Sequence, residues 1–411
     1  MNPRLRARFL DRSTPPHLVT LVLLAGLSAM SMNIFLPSLP KMTAYFDTEY
    51  RLMQLSVALY LGVSAGLQLL IGPISDKYGR RPVILGSVVI FLVATLGCLL
   101  APSAHVFLGF RMLQAAIVAG IVLSRAVVRD MVPAEESASM IGYVTMGMAV
   151  VPMLAPALGG VLDQLFGWKA NFEALLVAGI ALFLLLWADL GETARPSENS
   201  LLAQFREYPE LLRSRRFWGY ALTTAFASGA FFAYLGGAPY VGSAVFGLSP
   251  ATLGMYFGLL ALGYMAGNFL TGRYATRLGI NRMIMIGTML PTVGLILSIL
   301  AFLLGATHPL AFFGLMTSVG VGNGMVISNA TSGMMSVRPA LSGTASGLGG
   351  TIMIGGGAAL SALAGALLVP GTGVFTLLII MLCSSVAAVL AMLYVLHVTR
   401  IAGELDIPLP D

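Results

Sequence analysis

The sequence predicts an all-α integral membrane protein whose twelve transmembrane helices form two pseudo-symmetric six-helix halves. Three observations predict it. Of 411 residues, 57% are hydrophobic and 10% charged, whereas a soluble domain carries about a quarter charged residues; this much apolar surface needs lipid as its solvent. The apolar residues also gather in runs near the roughly 20 residues that cross a bilayer as a helix. Finally, the hairpin Gly72-Pro73-Ile74-Ser75-Asp76-Lys77-Tyr78-Gly79-Arg80-Arg81-Pro82 returns faintly as Gly272-Arg273-Tyr274-Ala275-Thr276-Arg277-Leu278-Gly279-Ile280-Asn281-Arg282. Each copy holds a cation between two glycines, and a charged hairpin repeated between apolar runs marks a duplicated membrane protein.

The runs follow in order. Span 1 (18–38) comes after Arg4, Arg6, Arg8 and Arg12; it is longer than the core of a cleavable signal peptide, so it is read as a retained span. Spans 2 to 6 lie at 52–73, 82–101, 106–128, 138–162 and 170–189, and spans 7 to 12 at 217–240, 250–272, 282–305, 309–330, 341–368 and 373–397. The organisation is therefore an N-terminal half (1–190), a linker (191–216), and a C-terminal half with a short tail (217–411). The linker balances acids against bases around Leu201, Leu202 and Phe205, a composition suited to an amphipathic helix on the inner membrane surface.

With the N-terminus inside, 19 of the 23 Lys and Arg fall in cytoplasmic segments. That asymmetry sets both termini and both hairpin copies on the cytoplasmic side. It also accounts for the formal charge of +6 without nucleic acid. Cys98 and Cys383 lie in separate apolar runs, so neither a disulfide nor a metal site is expected. The spans carry no nucleophile–base pair, metal cluster or phosphate-binding loop, which disfavours an enzyme and implies no cofactor.

Several residues stand out against this apolar background. Gly72 and Gly79 permit a turn too tight for a side chain, and Asp76 is a lone carboxylate at the mouth of the membrane, best stabilised by arginine or by a helix N-terminus. Arg111 lies inside span 4, where an arginine costs several kcal/mol unless paired or wetted. In span 5, Pro152 and Pro156 break backbone bonds that neighbours must satisfy, and Gly159 and Gly160 allow close packing. Arg129 and Asp130, in the run Ser124 to Asp130 at the inner end of span 4, share the cytoplasmic layer of Asp76, Arg80 and Arg81. Asn33 and Arg111 each sit about five residues inside their spans, which at about 1.5 Å per residue puts them at one depth. The Asn33 amide can hydrogen-bond Arg111 but cannot titrate. Glu173, at a similar depth, is the secondary acid.

Twelve spans in two repeats, with this hairpin after span 2, resemble the major facilitator superfamily. The span-4 arginine, the Pro–Gly run 147–160 and the Ser124–Asp130 run resemble its twelve-span drug:proton antiporters, specifically the bicyclomycin/chloramphenicol-resistance branch. The resemblance implies the major facilitator fold and a gate built on Gly72, Asp76, Gly79, Arg80, Arg81, Arg129 and Asp130. In that gate Asp76 meets the start of span 11, near Ala340 to Thr344. It further implies proton coupling through position 33 and Arg111, and an antiporter motif at Pro152, Pro156, Gly159 and Gly160. Three departures matter. Ala155 replaces the usual glycine before the second proline, Thr276 removes the carboxylate from the second hairpin, and Asn33 stands where the branch carries an aspartate. Either another carboxylate, with Glu173 foremost, carries the proton, or the chain is uncoupled.

The functional expectation is a proton-linked multidrug exporter working by alternating access in the bacterial inner membrane. Its substrates would be amphipathic, largely uncharged drugs of the phenicol or bicyclomycin kind. Protons are the coupling ion, lipids the surroundings, and a monomer the expected state. Cavity candidates are Tyr60, Gln68, Met146, Met148, Phe231, Phe232, Tyr234, Asn323 and Asn329; aromatics and pliable methionines over a few amides suit varied apolar molecules. The glycine-dense span 11 is expected to be a moving element. The alternatives are a metabolite exporter or facilitator, for which Asn33 is natural, and a receptor that moves nothing.

Overall fold

The computed structural model describes residues 9–131, 151, 154–193, 208–338, 342–368, 371 and 373–401, with Arg129, Tyr208, Ser342, Gly343 and Ile401 described in their backbone only. Among these residues, 11 helices are long and apolar enough to cross a membrane, and the shorter apolar helix Leu154–Phe166 lies in span 5. Helices are the required solution, because lipid offers no partner for a free N–H or C=O. Most of the expected linker helix falls outside the described residues; only Tyr208–Leu212 is seen, with Leu211 buried.

Two spans depart from the uninterrupted helices the sequence suggests. Span 1 runs as Leu18–Asn33, a 3-10 turn Leu36–Ser38, and a further helix Leu39–Tyr45. Pro37 and Pro40 are the second residues of the two later segments, within the first turn, where an N–H has no intrahelical partner to lose. They restart the helix rather than ending it. Span 4 consists of Ala104–Gln114, a 3-10 turn Ala115–Val118, and Ala119–Met131. Its first helix is capped by Ser103, whose Oγ accepts from Val106 N at 3.4 Å.

The hairpins are tighter than loops. Span 2 (Tyr50–Tyr78) and span 3 (Arg80–Leu100) meet at Gly79 alone, and span 8 (Pro250–Leu278) and span 9 (Ile280–Leu303) at Gly279 alone. Asp76 is therefore in the last turn of one helix and Arg80 in the first turn of the next. Gly79 has φ +97° and Gly279 φ +78°, a region open to glycine and strained for other residues.

The chain divides into two compact units, Met1–Leu201 with Gly247–Gly258, and Leu202–Phe246 with Leu259–Asp411. The division falls inside the expected linker, but the segment 247–258 groups with the first unit. In the first unit, span 3 packs on spans 4 and 6 (Lys169–Asp189), and span 1 on spans 4 and 6. In the second, span 7 (Arg215–Tyr240) packs on span 10 (Thr317–Val337), span 11 (Ser342–Leu367) and span 12 (Val374–Ile401). Its core gathers Phe217, Tyr220, Val326, Met334 and Met392. Span 11 approaches its neighbours through glycine: a side chain on Gly357 would strike the Phe232 ring, and one on Gly349 the Met334 sulfur.

Candidate functional site

Arg111 is the largest fully buried side chain, at 1% exposure. Its guanidinium donates to the Ser31 carbonyl (3.0 Å), the Ser31 hydroxyl (3.3 Å), the Gln114 side-chain oxygen (2.5 Å) and the Ser56 carbonyl (3.4 Å). Two aromatic faces close around it, Tyr60 at 3.9 Å and Phe35 at 4.5 Å from their centroids. Gln114 passes the network on, donating to Thr95 Oγ1 at 2.7 Å. Spans 1, 2 and 4 thus meet at one cation, with span 3 joined through Gln114, held by charge-assisted hydrogen bonds and cation–π attraction. Among the described residues no carboxylate pairs with it.

Asn33 is also buried, at 1% exposure, but its Nδ2 donates to the Ala29 carbonyl at 2.7 Å. The shared depth holds, since Ser31 and Phe35 flank Asn33 and both touch Arg111. The expected hydrogen bond does not form. Ser31, in the last turn of the helix Leu18–Asn33, and Phe35, in the turn that follows it, both reach Arg111, while the Asn33 side chain folds back along its own helix to Ala29. Glu173 is exposed on span 6. Tyr60, expected in a substrate cavity, is instead a wall of the arginine cage.

The arginine-rich end of the first unit carries a second polar cluster. Arg80 pairs with Asp76 at 2.6 Å and with Asp130 at 3.0 Å, and donates to Ser75 Oγ. Asp130 also receives Thr193 Oγ1 at 3.4 Å. Sequence reasoning gathered Asp76, Arg80 and Asp130 and missed Glu192, whose carboxylate accepts from Arg80 N at 2.8 Å and Arg81 N at 3.2 Å. It caps the first turn of span 3 from a distant part of the chain. Arg81 does the converse for span 6, donating to the Leu190 carbonyl at 2.8 Å and the Trp187 carbonyl at 3.3 Å. An anion sits at one helix N-terminus and a cation at the other's C-terminus, the favourable sense for both dipoles. Gly79 packs against the Glu192 carboxylate with no room for a side chain; Gly72 has open space. Asp189, buried, accepts from Leu10 N, His17 N and Thr20 Oγ1 at 2.7 to 2.9 Å and pins the chain ahead of span 1. Ala340 and Leu341, at the head of the segment expected to receive Asp76, lie outside the described residues.

In span 5, Pro152 lies outside the described residues. Gly159 lies against the Ile34 carbonyl so closely that a side chain cannot fit, and Gly160 and Pro156 pack on the segment Gly247–Gly258 of the same unit. Of the remaining cavity candidates, Met146 and Met148 lie outside the described residues. Gln68 and Phe231 are partly exposed. Phe232 packs on span 11, and Tyr234 stacks on Phe312 at 6.0 Å. Asn323 Nδ2 donates to the Ala227 carbonyl at 3.3 Å, and Asn329 Nδ2 to Thr271 Oγ1 at 3.3 Å. These four side chains are buried in seams between helices of the second unit.

Comparisons with known proteins agree with this architecture. The chain is 30% identical to the chloramphenicol resistance protein of Pseudomonas aeruginosa, over 80% of this chain and 79% of that one. It is 32% identical to the uncharacterized MFS-type transporter YdgK of Bacillus subtilis, over 84% of this chain and 87% of that one. The crystal structure of a D-xylose-proton symporter superposes with a TM-score of 0.73 at 15% identity, covering 92% of this chain and 96% of the other, a likeness of fold. A profile of the Major Facilitator Superfamily matches residues 21–362. The chain belongs to the Major Facilitator Superfamily and is a multi-pass membrane transporter, not an enzyme.

Proposed function

We propose that this transporter is a proton-linked exporter of amphipathic, largely uncharged drugs of the phenicol or bicyclomycin kind. It belongs to the bicyclomycin/chloramphenicol-resistance branch and works by alternating access as a monomer. It sits in the bacterial inner membrane with both termini cytoplasmic. The relation to a chloramphenicol resistance protein supports the drug class. The observation that carries the substrate preference is the caged Arg111. Two unit charges 4 Å apart interact by about 4 kcal/mol at an effective dielectric of about 20, and no described carboxylate offsets this cation. Its field disfavours cationic drugs and leaves uncharged ones free to enter. The Asp76–Arg80–Asp130 ion pairs are the element that breaks and re-forms as the gate works, because they join span 3 to spans 2 and 4.

The test is chloramphenicol export by purified protein in liposomes, with and without an imposed pH gradient. Export that rises with the gradient is expected, and export absent under both conditions would sink the reading. Asn33→Asp is expected to strengthen the gradient response. Asn33 also favours a second reading, facilitated movement without proton coupling; chloramphenicol exchange indifferent to the gradient would select it.

A further inference from the structure

With Asn33 neutral and facing Ala29, the described acids of the first unit can be compared for the task of holding a proton. Asp76 and Asp130 pair with Arg80, Asp189 is met by three donors, Asp11 accepts from Ser13, and Glu173, Glu192, Asp47 and Glu49 are exposed. Asp163, at the end of span 5 away from the arginine-rich hairpin, differs from all of them. Its side chain is wholly buried, yet among the described residues its single ionic partner is Lys41, whose Nζ lies 3.2 Å from Oδ1 and 3.3 Å from the Asp163 carbonyl. Oδ2 is buried with no hydrogen-bond donor among the described residues. Nearby, Asn171 donates to Ser38 Oγ at 2.9 Å, and its own Oδ1 is likewise buried without a donor. Ser38 and Lys41 are three residues apart at the end of span 1, so two acceptors lacking donors border one stretch of chain. Buried acceptors in native proteins are almost always satisfied. A carboxylic acid adds one O–H donor where a carboxylate has none.

The position gives such a proton mechanical leverage. One turn before Asp163, Gly159 lies directly against the Ile34 carbonyl, next to Asn33. Spans 1 and 5 run side by side from that contact to the Lys41–Asp163 pair. Lys41 is the charged group against Asp163; the other charged and titratable groups on the elements adjoining it are Tyr45 on the helix Leu39–Tyr45, Lys169 and Glu173 at the head of span 6, and Tyr256 in the segment 247–258. Lys169 is turned to the Tyr45 and Trp168 rings, at 5.1 and 5.7 Å. Lys41 is half exposed, with solvent open to its ammonium.

We propose that Asp163 is a proton-binding group of the transport cycle, with Lys41 and a proton as its alternative partners. With Lys41 engaged, the carboxylate is ionised and ties span 5 to the end of span 1. When a proton from bulk water binds Oδ2, the Lys41 ammonium keeps its own charge, moves into solvent, and releases that end of the seam. This rests on the proton-linked reading above and supplies the acid that position 33 lacks.

Wild type, Asp163→Asn and Asp163→Glu are reconstituted, and chloramphenicol transport is measured as gradient-driven accumulation and as gradient-free exchange. The asparagine variant is expected to keep exchange and lose all stimulation by the gradient, and the glutamate variant to keep both. An asparagine variant that answers the gradient as wild type does overturns the proposal. So does a folded variant that loses exchange as well, which would make Asp163 a packing residue. Wild type that exchanges chloramphenicol but ignores the gradient defeats the proton-linked reading itself. Dicyclohexylcarbodiimide, which attacks protonated carboxyls in apolar surroundings, decides the matter on wild type should Asp163→Asn not fold. A modification at Asp163 that chloramphenicol suppresses is expected, and Asp163 left unmodified overturns the proposal.

Discussion

The two glycine hairpins share one backbone and almost no chemistry. Gly79 and Gly279 take the same left-handed turn, with ψ 153° in each, and each N–H reaches back to the carbonyl four residues earlier, Ser75 at 3.0 Å and Ala275 at 2.9 Å. Around Gly79 stand the Asp76–Arg80–Asp130 pairs and the Glu192 cap. Around Gly279 the corresponding contact is neutral, Tyr220 Oη donating to Asn281 Oδ1 at 2.7 Å. Arg273, Arg277 and Arg282 are exposed, with no ion pair among the described residues. The carboxylate is not the only loss, since the position matching Arg80 is Ile280 and both members of the pair are gone. The turn is the structural need common to both halves. The charge network is an addition to one of them.

Removing that addition should separate the copies most. Arg80→Ala strands two carboxylates that are a quarter to a third exposed, so the cost falls below the roughly 3 kcal/mol of a fully buried pair. Export should fall at least roughly tenfold, the change that about 1.4 kcal/mol produces. Arg282→Ala should leave export near wild type, and equal losses in liposome assays would erase the distinction.

The next largest effect is expected at the glycines. With φ +97° or +78° and ψ 153°, both glycines occupy a region essentially reserved for glycine, where a side chain costs about 1–3 kcal/mol, so Gly79→Ala and Gly279→Ala should both lower thermal stability in detergent. Gly79→Ala should do so further, because the new methyl also displaces Glu192. Matching melting temperatures would show that the Glu192 cap yields freely.

Glu192→Gln comes third. It keeps the shape but weakens the cap of span 3, and loss of an N-cap is worth about 1 kcal/mol. A melting temperature unchanged within error would remove Glu192 from the network. The smallest effect is expected from Thr276→Asp, which restores a carboxylate opposite Ile280, a residue that cannot answer it. Export should change by less than about twofold, within the range of exposed surface charges.

Much of the fold was legible because hydropathy and glycine punctuation are local signals. The apolar runs that became spanning helices and the paired glycine turns both follow from them. The break in span 4 was not, since Ala115 to Val118 contains neither proline nor glycine; it shows only where the Ser28 hydroxyl takes the Ile117 carbonyl at 2.7 Å. At the candidate site, Arg111 stood out as a charge in an apolar run, but its partners are backbone carbonyls of Ser31 and Ser56 and two aromatic faces. Such groups carry no label in a sequence. Glu192 was read as one linker acid among several because the helix it caps begins 112 residues earlier. The depth of Asn33 could be counted, whereas its facing direction depends on a helix phase that Pro37 and Pro40 reset beyond it.

The crossed capping of spans 3 and 6 has a practical consequence for following this transporter in motion. Arg81 holds the end of span 6 while Glu192 holds the start of span 3, and Gly179 brings span 6 against the Leu92 and Phe91 side chains midway along. Two spectroscopic labels placed across these helices should keep one separation whether substrate is bound or not. That pair would serve as an internal ruler, against which a changing distance elsewhere in the chain can be measured.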